Sequence, residues 1–292
     1  MLDAIPLINA VINGVVVGLL LALPALAITM VYGIGRFANA ATGDYMTFGA
    51  YAAVASQFVL GGSLLLSGLV AMLATAAVSL FFYAWVFRAL ARRSHVECLI
   101  ASVGVAFALR SSITFFVGQG QFHIETPLVR AWNFNGIRIL PTDVWIVATA
   151  LAALALVFLL LHATPMGRRM RAVADDPDLA RVSGISRRQV MLLLWTLVGA
   201  FSGLGGLLLG IKAVVIPELG WELLLPMFAS VILGGIGNPL GAVAGMLIFG
   251  ISQEVANHFV GPAYKIVLAF LVLLLVLLLR PQGLLGARSA VR

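Results

Sequence analysis

Charge is what this chain has least of. Only 10% of its 292 residues are Asp, Glu, Lys or Arg, whereas 62% are hydrophobic. A soluble protein of this length needs a charged surface that this composition cannot supply, so the chain reads as an integral membrane protein. Cysteine is nearly absent: Cys98 stands alone, which excludes an internal disulfide and a Cys-based metal site. Lysine occurs only as Lys212 and Lys265, and neither follows a glycine, so the chain has no phosphate-binding loop for ATP. The four histidines (His95, His123, His162 and His258) are scattered; there is no HExxH and no His/carboxylate cluster at ligand spacing. No serine sits in a GxSxG elbow, and GLGG at 203–206 lies inside an apolar run, where it serves helix packing. Together these absences disfavour a membrane enzyme and leave no cofactor to expect. No basic stripe interleaves with aromatics either, so the net charge of +7 reflects membrane topology and not nucleic-acid binding.

What is present is a series of long, continuous apolar runs. Backbone groups in lipid must be satisfied internally, and unbroken rather than alternating runs mean helices and not a barrel. The expected fold is an all-α polytopic membrane protein of about 8–9 transmembrane or re-entrant helices in one transmembrane domain over 1–292. The runs are 7–32 (broken by Pro24), 45–60, 64–87, 99–117, 142–161, 190–212, 223–233, 240–256 and 264–279. The run at 45–60 is short for a full span and is expected to begin within the membrane. Gly199, Ser202, Gly203, Gly205, Gly206 and Gly210 in the run at 190–212 let neighbouring helices approach closely. The N-terminus lacks the basic region of a signal peptide and is expected to be retained as the first span. Gly33-Ile34-Gly35 followed by Gly43 echoes Gly235-Ile236-Gly237 followed by Gly245; both interrupt apolar runs, one in each half. Chance accounts for this echo as well as duplication does.

Between two spans lies a polar island, 164–189, TPMGRRMRAVADDPDLARVSGISRRQ. It holds Arg168, Arg169, Arg171, Arg181, Arg187 and Arg188, six of the 18 basic residues. Asp176 is expected to cap a short helix, with Pro177 at its first position and Asp178 in its first turn. Leu179, Ala180 and Val182 can form a small apolar face, and Gly184 supplies the left-handed stop. Ser186 and Gln189 have the spacing of a capping box for the next helix. A plain connector does not need a separate capped helix with an apolar face, so the island is expected to be a cytoplasmic docking element. With the island, 88–97 and the C-terminal tail inside, the turn at 33–44 also falls inside; 13 of the 18 basic residues are then inside, which fits the positive-inside rule. The N-terminus is then outside and the C-terminus cytoplasmic.

Few polar groups sit inside the spans, and charge there is costly enough to make each a functional candidate. Arg110 and Glu254 are expected in the outer half, paired with each other or lining a vestibule for solute. Asp44 or Thr42 is expected to cap the helix at 45; the alternative is that Asn39, Thr42 and Asp44 form a polar constriction on the solute path, and Asn39 stays open between the two.

These residues resemble one family. Asn13-Gly14, Tyr32-Gly33 and the turn RFANAATGD at 36–44 are similar to the opening of the LivH-type permeases of branched-chain amino acid ABC importers. GRRMRAVADDPDLARVSGIS resembles their cytoplasmic segment, and LLPMFASVILGGIGNPLGAVAGMLIFGISQE their late glycine-rich segment; the likeness runs from 13 to 285. Ala-Ala-Thr-Gly-Asp at 40–44 departs from the commoner Phe-Ala-His-Gly-Glu, and urea-importer permeases share much of the pattern. The resemblance implies a membrane permease working by alternating access, with branched-chain amino acids as solute, or urea or another small amide or amino acid as the alternative. It implies four kinds of partner: the lipid bilayer of the inner membrane, a second LivM-like permease subunit, two ATP-binding cassette subunits that hold the ATP, and a periplasmic solute-binding protein. It also implies that Asp176, Pro177, Asp178, Leu179, Ala180 and Gly184 belong to the coupling helix gripped by the ATPase. A self-sufficient channel or ion-coupled carrier is the rival reading; it requires intramembrane carboxylates, of which Glu254 is the strongest.

Overall fold

The computed structural model describes residues 4–61, 63–90, 93–127, 129–134, 136–261, 264–280 and 283–285. Arg92, Arg288 and Arg292, counted above among the inside basic residues, lie outside the described residues, as does the side chain of Lys265. The helices are α1 (Ala4–Met30), α2 (Ala41–Leu60), α3 (Leu64–Phe82), α4 (Arg88–Leu90), α5 (His95–Val117) and α6 (Pro141–Ala163), followed by α7 (Pro165–Asp175), α8 (Pro177–Val182), α9 (Arg187–Lys212), α10 (Leu219–Gly234), α11 (Pro239–Val260) and α12 (Lys265–Leu279). A π-helical segment, Val31–Gly35, prolongs α1, and another, Tyr83–Phe87, joins α3 to α4. Six stretches are long and apolar enough to cross a bilayer: Ile5–Gly35, Leu64–Leu90, His95–Val117, Pro141–Ala163, Arg187–Lys212 and Pro239–Val260. The 20-residue α2 and the shorter apolar helices α10 and α12 stand beside them, and the all-α polytopic expectation holds.

The first of these stretches is the centre of the bundle, with 89% of its most apolar window buried. A helix hydrophobic on every side must be covered on every side, and α9, α10 and α11 do this together with α6. Pro24 does not break α1, contrary to the sequence reading. The helix runs through it, and Gly205 of α9 leaves room for the ring: a Cβ there would lie 2.8 Å from Pro24 Cδ. The other small residues of α9 work in the same way. Gly199 lies on Ala76 of α3, and Gly203 lies between Ala71 of α3 and Gly49 of α2.

At the end away from the island, the polar loop after α5 carries a two-stranded hairpin, β1 (Trp132–Phe134) and β2 (Ile137–Ile139). Asn9 of α1 docks on it, donating to the Gly136 carbonyl at 3.2 Å and accepting from the Arg138 N–H at 3.1 Å. Earlier in the same loop, Phe122 pairs with Val215 in the connection between α9 and α10. In the sequence, 118–141 is simply the stretch between the apolar runs 99–117 and 142–161. The Asn-Gly step at 135–136, a strong hairpin signal between short apolar stretches, was there to be used.

Candidate functional site

The island folds as two short helices at one end of the bundle. Thr164 caps α7 by accepting from the Gly167 N–H at 3.1 Å, with Pro165 in the first helical position. Gly167, Met170 and Val173 are spaced along one face and buried, while Arg168, Arg169 and Arg171 are exposed. Asp176 then caps α8: its carboxylate accepts from the N–H groups of Asp178 (2.9 Å) and Leu179 (3.0 Å), with Pro177 at the first helical position. Gly184 takes φ +78°. Its N–H donates to the Arg181 carbonyl at 3.1 Å, and the Ile185 N–H donates to Ala180 at 3.0 Å. This pair of bonds is the Schellman stop, which satisfies carbonyls the helix leaves free. Leu179 is 63% and Val182 86% exposed, while Ala180 is buried. The apolar face expected of three residues is therefore two: Leu179 and Val182 face outward, and Ala180 anchors the helix to its own chain. Ser186 precedes α9 but makes no side-chain cap, so the expected capping box with Gln189 does not form.

A second feature lies deep in the bundle. After the π segment the chain is non-helical for 36–39, and α2 starts where the Ala40 N–H donates to Ser102 Oγ at 3.0 Å. Ser102 is seven residues into α5, so α2 begins inside the bundle, as expected of this run. It begins earlier than expected, at Ala41, and neither Thr42 nor Asp44 caps it. Asn39 Oδ1 takes that place, accepting from the Ala41 N–H at 3.2 Å, and Thr42 Oγ1 donates back to the Asn39 carbonyl at 3.1 Å. Both side chains are fully buried and hold the turn.

The first turn of α10 meets the first turn of α2 at this depth. The Gly220 N–H donates to Thr47 Oγ1 at 2.9 Å, and a Cβ on Gly220 would collide with the Gly43 carbonyl oxygen. Glycine is therefore required by the approach of two backbones. At 16 residues, α10 is about 24 Å long, too short for a hydrocarbon core of about 30 Å. It starts at Leu219, ahead of the apolar run read at 223–233, so Glu222 lies in its first turn.

Asp44 is fully buried beside this junction and pairs with Arg110 of α5. Arg110 Nε donates to Oδ1 at 3.0 Å and Nη2 to Oδ2 at 3.1 Å. The guanidinium is 13% exposed and lies 4.5 Å from the Trp221 ring centroid and 5.4 Å from that of Phe107. A two-point carboxylate bond with aromatic faces beside it is what a cation needs in a place with little water. The expected pairing of Arg110 with Glu254 is thus replaced. Glu254 is half-buried on α11 and has no ion-pair partner among the described residues. No sequence signal could have chosen between the two carboxylates, because Asp44 and Arg110 are 66 positions apart.

At the island end, the two Gly-Ile-Gly segments meet. The Gly237 N–H donates to Thr29 Oγ1 at 3.0 Å, and a Cβ on Gly33 would stand 3.6 Å from Gly237 Cα. The echo seen in the sequence is therefore a contact between the end of α1 and the turn from α10 to α11. In this turn Asn238 caps α11, accepting from Leu240 and Gly241.

Residues 10–277 match the family described as branched-chain amino acid transport system / permease component. The chain belongs to this family. It is 32% identical to the high-affinity branched-chain amino acid transport system permease protein LivH of Escherichia coli K12, over 94% of both chains. It is 30% identical to BraD of Pseudomonas aeruginosa, over 96% of this chain and 95% of that one. A likeness to LivM of Escherichia coli K12, at 29% identity, covers 52% of this chain and 37% of that protein. Among solved structures, PsaBC from Streptococcus pneumoniae, determined in complex with a Fab, is similar in fold, with a TM-score of 0.50 over 94% of this chain and 91% of that one at 14% identity. The chain is a multi-pass membrane permease of the ABC type.

Proposed function

We propose that this chain is the membrane-spanning permease subunit of an ABC importer that takes up branched-chain amino acids, with ATP hydrolysed on separate subunits. The observation that carries the reading is α8: a six-residue helix capped at both ends, with Leu179 and Val182 held outward beside exposed arginines. A folded apolar knob of this kind suits a groove in another protein. In this reading the island faces the cytoplasm and receives the ATP-binding subunits, the N-terminus lies outside, a second LivM-like permease completes the pathway, and a solute-binding protein delivers amino acid at the hairpin end. ATP is held by the partners and none by this chain. A ligand moves an equilibrium only by binding two states differently, so the ATP state of the partner sets the bias between the outward- and inward-open forms.

The same reading divides the candidate path residues. Asp44 and Arg110 neutralise each other, and Asn39 and Thr42 fix the turn; all four hold the junction of α2 and α10. Glu254 alone stays a candidate for contact with solute. The experiment is gentle detergent purification of the tagged chain from its own membranes, followed by mass spectrometry of what comes with it. ATP-binding subunits, a second permease and a binding protein with a branched-chain amino acid bound are expected. A chain that purifies alone and carries solute without ATP contradicts the reading, and a urea-loaded binding protein reassigns the solute.

A further inference from the structure

Among the described residues, Arg36 is the only non-glycine residue with positive φ (+59°). Side chains seldom adopt this conformation, and an observed outlier is a reason to look for a use. Here the backbone turn ends the π segment, with the Arg36 N–H donating to the Tyr32 carbonyl at 3.0 Å. It also sends the side chain to the end of α7, where Nη2 donates to the carbonyls of Ala174 (3.1 Å) and Asp175 (3.2 Å). These carbonyls belong to a helix C-terminus, which leaves acceptors free and carries partial negative charge. The next residue, Asp176, caps α8. Arg36 thus joins two things: the short helices of the island, and the point where the end of α1 meets Gly237. Space lies beside the bridge and next to α7. A cavity of about 240 Å³ is lined by Thr29, Gly33, Met170, Asp175 and Gly237, and a more open cleft of about 640 Å³ by Tyr32, Arg36, His95, Ala174 and Gly237. Movement of α7 relative to the end of α1 has room there, and Arg36 links the two.

We propose that Arg36 is a positioning residue that passes movement of the α7–α8 element to the unwound break between α1 and α2. This rests on the reading that an ATPase partner moves α8. The test uses the whole complex in proteoliposomes, with binding protein outside, and measures radiolabelled leucine uptake and ATP hydrolysis in the same vesicles. Arg36→Gly removes the bridge while glycine keeps the turn at ease; Arg36→Lys keeps the charge as a point donor without the fork. For Arg36→Gly the expected result is assembled complex, ATP hydrolysis near wild type and uptake per ATP reduced at least tenfold, with Arg36→Lys between the two. Unchanged uptake per ATP in Arg36→Gly overturns the proposal. So does an Arg36→Gly complex that fails to assemble while Arg36→Lys couples fully, since Arg36 is then an anchor alone. If the wild-type complex shows no ATP-driven leucine uptake, the functional reading fails and not the role of Arg36.

Discussion

The Asp44–Arg110 pair shows how one residue's charge is tolerated inside the bundle. Removing one partner of a buried pair leaves the other uncompensated, a cost of about 3–5 kcal/mol. Arg110→Ala should therefore lower the temperature at which the purified chain loses its monodisperse peak in fluorescence-detected size-exclusion chromatography. The double variant Asp44→Leu with Arg110→Met should recover most of the loss, because an apolar pair leaves no orphan charge. An Arg110→Ala protein as stable as wild type, but without uptake, would instead return Arg110 to the solute path. Gly220 makes a second prediction. Its Cβ position is filled by the Gly43 carbonyl, so Gly220→Ala must push the starts of α2 and α10 apart. A destabilisation of about 1–3 kcal/mol is expected from such overpacking, seen in the same thermal assay, together with reduced uptake. Asp44 was expected to be a helix cap, but that Arg110 would need a partner was legible in the sequence, because charge inside a span is costly. Who pairs with whom was not, because pairing is decided by helix packing across the bundle.

Among elements, α8 was the most legible. Its cap, first-turn proline and left-handed stop are local signals that act within one or two turns, so Asp176, Pro177 and Gly184 could be assigned without knowing the fold. The direction in which Ala180 points depends on what α8 rests against, and that part of the reading needed correcting. The start of α10 was hidden for the opposite reason: Glu218 and Glu222 look like loop residues, and only the depth of Gly220 beside Gly43 reveals a helix there. Asp176→Ala removes two accepted bonds and should cost α8 about 0.5–2 kcal/mol. Hydrogen exchange should show faster exchange at 177–183 with α9 and α11 unchanged; equal loss across the chain would mean that α8 is not a separate unit. Deleting 176–184 should leave the spans inserted and separate ATP hydrolysis from uptake.

Across the whole molecule, two similar paths run in opposite directions. α1 is followed by a break and by α2, whose first turn lies inside the bundle; α9 is followed by 213–218 and by α10, whose first turn meets it there. Half-helices that start inside the membrane are a recurrent device for holding a pathway that must open from either side. The paired Gly-Ile-Gly motifs hinted at duplication but mark a contact, since sequence spacing cannot tell a repeat from two glycine turns that touch. The island then stands at one end of this arrangement, tied through α7 to the end of α1, where a push from outside the membrane would enter. The central claim is that the drive enters through α8, and the direct measurement is ATP-dependent leucine uptake by the reconstituted complex, comparing wild type with Leu179→Asp/Val182→Asp. Both side chains are exposed, so the variant chain should fold and insert normally. The account predicts that it loses the ATP-binding subunits and nearly all uptake. Wild-type uptake from a variant that still holds its ATPase, or uptake by this chain without ATP, would contradict it.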